Sequence, residues 1–426
     1  MIKKILKNKV FSNGVYLYIL QIFNTIIPLL TLPYITRILG DSQYGVFSKT
    51  FNYITYFQAL VEYGFTLAGA RKISLCDSDE ERNKIFSGIT YSKILLSLVS
   101  VVAIAVLSFT IVKTPAQTMC MLILALLLVA EIFMQTWLLQ GMQYMRPIML
   151  VSVISRTLST IGIFIFVRSS SDLLLYAALF VSTNLITALL GTLIVLKKFK
   201  IRFVRLGFTD IKLALKDAWP LFTTSFASKV CSGFAITALG FFCTDAVIGG
   251  YSAVQKIPYI LVMMFAPIGQ AIYPYICRLY ADNVTKGIKT LKKIATVVLG
   301  CCVLGVLLLI ILRYWLIELV LGSDYIRYAN LIIPLACWLL LSITNNFLGI
   351  QILVARGYQK QYSRCFLVSI VFLVGLNLAF GYFFGAMGVA IATMLGELIL
   401  TCGCLIMIIK KGLLKAPDKE ILTEGE

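Results

Sequence analysis

Residues 1–38 read MIKKILKNKVFSNGVYLYILQIFNTIIPLLTLPYITRI, a basic segment followed by an apolar run from Val15 to Ile38. A signal peptide would have a shorter apolar core that ends at a small-residue cleavage site, and no such site interrupts this run. A run of about 20 apolar residues is long enough to cross the hydrocarbon core of a bilayer as a helix. We therefore expect a retained first transmembrane helix.

Similar apolar runs recur to the end of the chain. Hydrophobic residues make up 60% of the 426 residues and charged residues 13%, with a mean hydropathy of +0.92. Soluble domains are roughly 45–50% apolar and ~25% charged, so this much apolar surface needs a bilayer to cover it. The predicted spans are residues 14–37, 43–66, 88–112, 116–140, 148–167, 172–196, 217–242, 246–277, 291–312, 325–352, 362–384 and 386–409.

Lysine and arginine are distributed unevenly between the connectors. Of the 38 basic residues, 28 lie at the N-terminus, in the even-numbered connectors and in the C-terminal tail, and five lie in the odd-numbered connectors. Loops rich in these residues stay on the cytoplasmic side. We therefore predict a multi-pass protein of the cytoplasmic (inner) membrane with both termini in the cytoplasm. The net charge of +19 reflects loops near anionic headgroups, and we expect no nucleic-acid partner.

The longest basic connector, residues 197–216, lies near the middle of the chain and suggests two halves. The predicted division is an N-terminal six-helix lobe 1–196, a cytoplasmic linker 197–216, a C-terminal six-helix lobe 217–409 and a cytoplasmic tail 410–426. A weak repeat supports it, because Asp41–Ser48 (DSQYGVFS) aligns with Asp245–Ser252 (DAVIGGYS) before the second helix of each half. Transporters with such repeats place a site at the pseudo-two-fold interface. The predicted fold is all-α, with about twelve transmembrane helices in two pseudo-symmetric lobes around a central cavity.

Several kinds of chemistry are excluded by what the sequence contains. There is no histidine, and the eleven cysteines lie mostly in apolar runs without zinc-type spacing, so they read as small buried hydrophobes. No G-x-x-x-x-G-K-[ST] loop for ATP is present. We expect no enzyme activity, no cofactor and no metal. The enzyme alternative, a membrane glycosyltransferase or O-antigen polymerase, would usually carry a larger polar loop than any connector here.

Charges inside the predicted spans are the informative residues, since each costs roughly 2.5–3.5 kcal/mol at a helix centre and should face a cavity or a partner. The cations are Lys49, Lys93, Arg156, Lys229 and Lys256, and the acids are Glu62, Glu131 and Glu397.

Polar side chains at helical spacing mark one face of several spans. These faces include Asn24 in span one, Asn52 and Tyr53 in span two, Ser225 and Ser232 in span seven, and Asn345 in span ten. Polar faces on several helices predict a shared water-filled cavity. We expect the cations Lys49, Lys229, Lys256 and Arg156 to bind an anion there.

Each of these residues also has a structural interpretation. Lys93 lies about one turn from the cytoplasmic boundary and is expected to snorkel to it. Glu62 lies near the same boundary and is expected to pair with Lys93 or with Arg71. Arg156 can pair with Glu131 across spans four and five. The serines and glycines can serve close helix packing alone.

The energy source is left open by the sequence. If transport is coupled to a proton or sodium gradient, a buried Glu131 or Glu397 is the expected carrier, with Glu62 a further candidate, because burial disfavours the charged form of a carboxyl. Proline also interrupts span one at Pro28 and Pro33, and spans eight and ten at Pro258, Pro267, Pro274 and Pro334. These positions predict bends suited to a rocking transporter, with a static kink as the alternative.

The N-terminal quarter resembles the polysaccharide (O-antigen type) flippases of the multidrug/oligosaccharidyl-lipid/polysaccharide exporter superfamily. The matching stretches, in order, are YLYILQIFN from Tyr16, IPLLTLPYITRILG from Ile27, YGVFS from Tyr44, EYGF from Glu62 and ARKIS from Ala70. The rest of the chain matches by span count, loop pattern and length.

This resemblance implies a flippase that moves an undecaprenyl-pyrophosphate-linked oligosaccharide to the outer leaflet by alternating access through a cationic cavity. The glycan would serve O-antigen lipopolysaccharide or capsule, with membrane lipids and possible polymerase and chain-length proteins as partners. Lys49, directly after the YGVFS motif, and Lys256 match cations expected in the second and eighth helices of lipid II flippases. Span one has no acid and span eleven has only Asn377, unlike drug-exporting and sodium-binding relatives. The alternative is a drug or metabolite/cation antiporter of the same superfamily, which would need acids in the cavity.

Overall fold

The computed structural model describes residues 9–110 and 114–413 of the chain, and every regular element in these two ranges is helical. The helices are α1 (Lys9–Glu62), α2 (Phe65–Ser74), α3 (Asp79–Thr110), α4 (Pro115–Phe133), α5 (Thr136–Gly141), α6 (Arg146–Phe166), α7 (Leu173–Lys198), α8 (Phe208–Phe242), α9 (Asp245–Asp282), α10 (Val284–Ile311), α11 (Arg313–Leu321), α12 (Ile332–Asn345) and α13 (Gln359–Lys410). Short 3₁₀ segments cover Ser170–Asp172 and Ser323–Leu331, and a π-helix, Asn346–Val354, continues α12.

The described residues contain nine helical segments that are long and apolar enough to cross a membrane. One of them, α13, is broken at Gly385, and the longer α1 is broken at Gly40. Both glycines have a positive φ, 56° and 69°, which residues with a Cβ rarely adopt. With the arms of α1 and α13 taken separately, the segments correspond to the twelve predicted spans, so the prediction of a multi-pass, all-α membrane protein is confirmed.

The prolines lie within continuous helices, and the predicted bends at these positions stay a prediction. The helix α9 runs without interruption from Asp245 to Asp282 through its three prolines, and α1 continues through Pro28 and Pro33. Neighbouring helices and local adjustments satisfy the backbone groups that a proline frees in a membrane helix. Pro334 lies in the first turn of α12, where no intrahelical N–H bond is lost.

Contacts divide the chain into two compact units, Met1–Gly233 and Phe234–Glu426. The first unit thus includes most of α8, whose residues 217–233 the sequence analysis placed in the C-terminal lobe. The predicted lobe boundaries themselves stay a prediction.

In the first unit, α4 lies at the centre and packs against α1, α3 and α7. Its last turn ends at Phe133, within a segment predicted as one span, and leaves carbonyl groups without intrahelical partners. The Glu131 carbonyl accepts from Lys93 Nζ at 2.9 Å, and the Phe133 carbonyl accepts from Thr192 Oγ1 at 2.7 Å. Two neighbouring helices therefore satisfy the end of α4, as a low-dielectric environment requires.

Two short helices, α2 and α5, cross each other beyond the ends of the longer helices. A Cβ on Gly69 would lie 2.5 Å from Trp137 Cε3, and one on Gly141 would lie 2.8 Å from the Ile73 side chain. The two glycines thus let the helices touch closely, and Trp137 is 1% exposed. This crossing forms part of a buried apolar cluster that also takes in Phe222 of α8.

In the second unit, α12 packs against α9, α10 and α13. The π-helix that follows α12 is anchored to α9, because Gln351 Nε2 donates to the Gly269 carbonyl at 2.9 Å. It also approaches α13, where a Cβ on Gly349 would meet the Tyr362 ring.

The two copies of the sequence repeat occupy equivalent positions in the two units. Asp41 directly follows the Gly40 break, and Asp245 begins α9. An acidic residue stabilises the first turn of a helix. The serines that end the two motifs, Ser48 and Ser252, are both buried.

Candidate anion-binding site

The polar face of span two is enclosed by the protein. Lys49, Asn52 and Tyr53 are 7%, 6% and 8% exposed, and each has an interaction partner in the structure. They lie on the second arm of α1, after the Gly40 break. Asn24, predicted to extend this polar surface from span one, has a side chain that lies outside the described residues.

Two close approaches, at Gly64 and at Gly233, bring the second arm of α1 and the turn that follows it near α8. A Cβ on Gly64 would lie 2.9 Å from the backbone nitrogen of Phe222, and one on Gly233 would lie 2.5 Å from Asn52 Oδ1 and 2.8 Å from Tyr56 Oη. The first contact joins the turn after α1 to the early part of α8. The second joins an earlier part of α1 to the late part of α8, so the two helices run in opposite directions. The polar residues Asn52 and Tyr56 of span two therefore lie against Gly233 of span seven within the first unit, at a contact that we call the α1–α8 seam.

Lys49 and Lys229 flank this seam. The two approaches pair later residues of α1 with earlier residues of α8, which puts Lys229 at about the level of Tyr56. The axial rise from Lys49 to Tyr56 is about 10 Å at 1.5 Å per residue. Lys229 is exposed, and no described carboxylate lies within ion-pair distance of its ammonium group. The seam thus combines two membrane-embedded cations with the amide of Asn52 and the hydroxyl of Tyr56.

The serines of α8 bond to their own helix. Ser225 Oγ donates to the Leu221 carbonyl at 2.7 Å, and Ser232 Oγ donates to the Ser228 and Lys229 carbonyls at 3.1 Å. Such bonds satisfy the hydroxyl hydrogen and leave the oxygen lone pairs available. Ser232 is exposed beside Lys229, whereas Ser225 is half-buried.

Arg156 is half-buried on α6 and does not pair with Glu131. No described carboxylate forms an ion pair with its guanidinium. The serines on its helix face are buried, and Ser159 Oγ donates to the Leu179 carbonyl of α7 at 2.7 Å. This face therefore serves helix packing at Ser159, which was the structural interpretation of the small polar residues.

Glu131 instead pairs with Lys93, and the snorkelling predicted for Lys93 is wrong. Lys93 Nζ lies 2.9 Å from Glu131 Oε1, and the lysine is 1% exposed. The sequence carried a signal for this pair, because both residues are equally far from position 112, near the turn between spans three and four. Antiparallel neighbours joined by a short turn bring such positions to the same depth.

Glu62 binds backbone groups of its own turn. Its Oε2 accepts from Gly64 N and its Oε1 from Thr66 N, both at 2.9 Å. The turn contains Tyr63 and Gly64 with φ of 49° and 72°, so the carboxylate stabilises the tight connection between α1 and α2. The predicted pairing of Glu62 with Lys93 does not form.

In the second unit, Lys256 is half-buried on α9 and takes part in an electrostatic or polar interaction. Asn345 and Glu397, which the sequence assigned to separate roles, lie together. Asn345 Nδ2 donates to Glu397 Oε1 at 2.8 Å and to the Glu397 carbonyl at 3.1 Å. No group of three or more potential metal ligands from cysteine and acidic side chains occurs among the described residues.

Comparisons with known proteins agree with this helical architecture. The family model described as "Polysaccharide biosynthesis protein" matches residues 10–280. The curated "Putative O-antigen transporter" of Escherichia coli (strain K12) is 26% identical over 91% of this chain and 94% of its own length. That of Shigella dysenteriae is 26% identical over 91% of this chain and 97% of its own length.

Two solved structures share the fold. The lipid II flippase MurJ, in an inward closed conformation, superposes with a TM-score of 0.73 at 16% identity and covers 95% of this chain and 89% of its own. An inward-facing multidrug resistance MATE family transporter of the MOP superfamily gives 0.66 at 13% identity and covers 92% and 98%. The chain is a multi-pass membrane protein with this transporter fold, and it belongs to the polysaccharide biosynthesis protein family.

Proposed function

We propose that the protein is a flippase that moves an undecaprenyl-pyrophosphate-linked oligosaccharide across the cytoplasmic membrane by alternating access. The observation that carries this proposal is the α1–α8 seam, where Lys49 and Lys229 flank Asn52 and Tyr56. Similarity to two proteins named as putative O-antigen transporters supports a glycan-bearing substrate rather than another anion. The fold alone does not separate this function from a drug or cation antiporter, since a MATE transporter shares it.

The charge balance of the first unit favours an anionic substrate. Its membrane-embedded acids are already engaged, Glu131 by Lys93 and Glu62 by backbone N–H groups. Arg156 and Lys229 have no described counter-ion. A cationic drug would meet uncompensated positive charge here, whereas an anion would relieve it.

A pyrophosphate needs such a site because an ionised group that leaves water without compensation loses several kcal/mol or more. Lysine ammonium groups bind phosphate as point charges on flexible four-carbon stems. Two of them, about 10 Å apart along the seam, can approach one diphosphate from both sides. Asn52 and Tyr56 offer an amide and a hydroxyl as donors to phosphate or sugar oxygens. Lys256 is proposed to supply a further cation from the second unit.

The location of the protein and its partners belong to the same proposed function. We place both termini in the cytoplasm, on the basis of the basic connectors, and the lipid tail of the substrate in the surrounding bilayer. A polysaccharide polymerase and chain-length proteins would consume the translocated repeat unit.

The test is replacement of the two seam lysines and of Lys256 in cells whose surface polysaccharide depends on this protein. Lys49→Ala, Lys229→Ala and Lys256→Ala should each strongly reduce surface polymer and cause lipid-linked oligosaccharide to accumulate, with protein abundance unchanged. Arginine at the same positions should keep partial activity because the charge remains. Lys289→Ala, on the exposed first turns of α10, is the matched control. Normal export by all three alanine variants would contradict the proposal.

A further inference from the structure

Glu397 lies deep in the membrane-spanning part of the second unit. It is on the second arm of α13, and the rise from Gly385 to Glu397 is about 18 Å at 1.5 Å per residue. The hydrocarbon core of a bilayer is about 30 Å thick, so the carboxyl lies near its middle. The side chain is half-buried, which places an acid where an uncompensated charge is costly.

The surroundings of Glu397 are neutral, unlike those of Glu131. No described lysine or arginine lies within ion-pair distance of the Glu397 carboxylate. On α12 it faces the Asn345 amide and the Trp338 indole, and on its own helix the buried thiol of Cys404 lies close enough to interact with it. The carboxyl can therefore change its protonation without breaking an ion pair.

Asn345 has an atom available for the protonated form. It is 4% exposed, and its Oδ1 is buried without a hydrogen-bond donor while its Nδ2 binds Glu397. Both atoms belong to one amide, so the acceptor lies beside the donor that now holds the carboxylate. An amide can donate to a carboxylate through its nitrogen or accept from a carboxylic acid through its oxygen. A buried oxygen without a hydrogen-bond donor is destabilising, and an acid O–H would satisfy it.

The backbone beside Asn345 is unusual as well. The π-helix Asn346–Val354 begins at the next residue. Segments of π-helix are rare and frequently occur at functional sites. The wider turn carries Gln351, which holds α9 through the Gly269 carbonyl. The π-helix therefore joins the position of Asn345 to a contact with α9.

We propose that Glu397 takes up and releases a proton in the membrane core, with Asn345 holding the ionised form through Nδ2 and the acid through Oδ1. One proton passes from water to a carboxylate oxygen and back, and no other bond changes. Its use as the coupling step of transport rests on the proposed flippase function. Glu131, neutralised by Lys93, takes no part.

The proton site is tested first without transport. Purified protein in lipid nanodiscs is titrated while infrared difference spectra follow the C=O stretch of protonated carboxyls. We expect a membrane-embedded carboxyl signal that is lost in Glu397→Gln, retained in Glu131→Gln and shifted in frequency and midpoint in Asn345→Leu. Retention of the signal in Glu397→Gln would overturn the proposal. Glu397→Asp, which keeps a carboxyl, covers the case in which the glutamine variant fails to fold.

The second arm measures coupling in proteoliposomes with lipid-linked oligosaccharide under pH or sodium gradients. Glu397→Gln should lose the response to a pH gradient, whereas Glu131→Gln should keep it. A response to sodium alone, with sodium binding abolished by Glu397→Gln, would replace the proton by sodium and overturn the assignment. If the infrared signal behaves as expected but no glycan moves, the proposed function fails and the proton site stands.

Discussion

Replacing Lys93 by methionine, with Glu131 retained, should destabilise the first unit severely. The lysine ammonium group binds both the Glu131 carboxylate and the Glu131 carbonyl at 2.9 Å, and the lysine is 1% exposed. Removing one partner of a buried ion pair costs about 3–5 kcal/mol because the other charge stays buried without compensation. The lost bond to the carbonyl adds about 1 kcal/mol.

Removing both charges should recover most of that loss. In Lys93→Met combined with Glu131→Gln no uncompensated charge remains, and replacement of a buried pair by neutral residues is often close to neutral. We expect the free energy of unfolding of the double variant to lie within about 2 kcal/mol of the wild-type value. The remaining difference comes from the two hydrogen bonds that methionine cannot make. The interaction energy from the double-mutant cycle should therefore be large.

The assay is reversible unfolding in mixed micelles, with the free energy of unfolding measured for the wild type, both single variants and the double variant. Lys72→Met is the control, because it breaks the pair with Asp217 at 2.6 Å in which both side chains are about 40% exposed. An exposed pair contributes about 0–1 kcal/mol. If Lys93→Met costs no more than Lys72→Met, the buried pair does not stabilise the unit and the argument is refuted.

Two further predictions concern packing and topology. Gly69→Ala should destabilise by about 1–3 kcal/mol, because the new Cβ would lie 2.5 Å from Trp137 Cε3; Gly300→Ala, with open space at its Cβ, should be neutral or slightly stabilising in the same thermal unfolding assay. Reporter fusions at Gly207 and at Lys415, which lies outside the described residues, should both report the cytoplasm, and an external signal at either would contradict the predicted topology.

The seam can be tested through its glycine as well as its lysines. Gly233→Ala would place a Cβ 2.5 Å from Asn52 Oδ1, so α8 must move away from α1 or the amide must turn. We expect reduced glycan export at normal protein abundance, measured as surface polymer in the same cells as the lysine variants. Full activity would show that close contact at this point is dispensable.

The membrane class and the order of the spans could be predicted from the sequence because they depend on local properties. An apolar run of sufficient length must be helical in lipid, where every backbone group has to be satisfied within its own segment. The breaks at Gly40 and Gly385 fall between predicted spans for the same local reason, since a left-handed residue there is most easily a glycine. Whether Pro258, Pro267 and Pro274 bend α9 stays a prediction, because a membrane helix can continue through proline when its surroundings satisfy the freed backbone groups.

The interaction partners of the charged side chains were decided by the tertiary structure. The charges at Lys93, Glu131 and Glu397 are evident from the sequence. That the first two neutralise each other and that the third faces an amide is seen only in the structure. Ion pairing depends on distances between side chains on different helices, and hydropathy periodicity reports only which face of each helix is polar. The contact of Gly233 with Asn52 could not be predicted either. A glycine in a helix indicates that another group approaches closely, but the sequence does not show which group it is. Composition and spacing therefore determined what kind of protein this is, and packing determined that Glu131 is neutralised by Lys93 whereas Glu397 faces an amide.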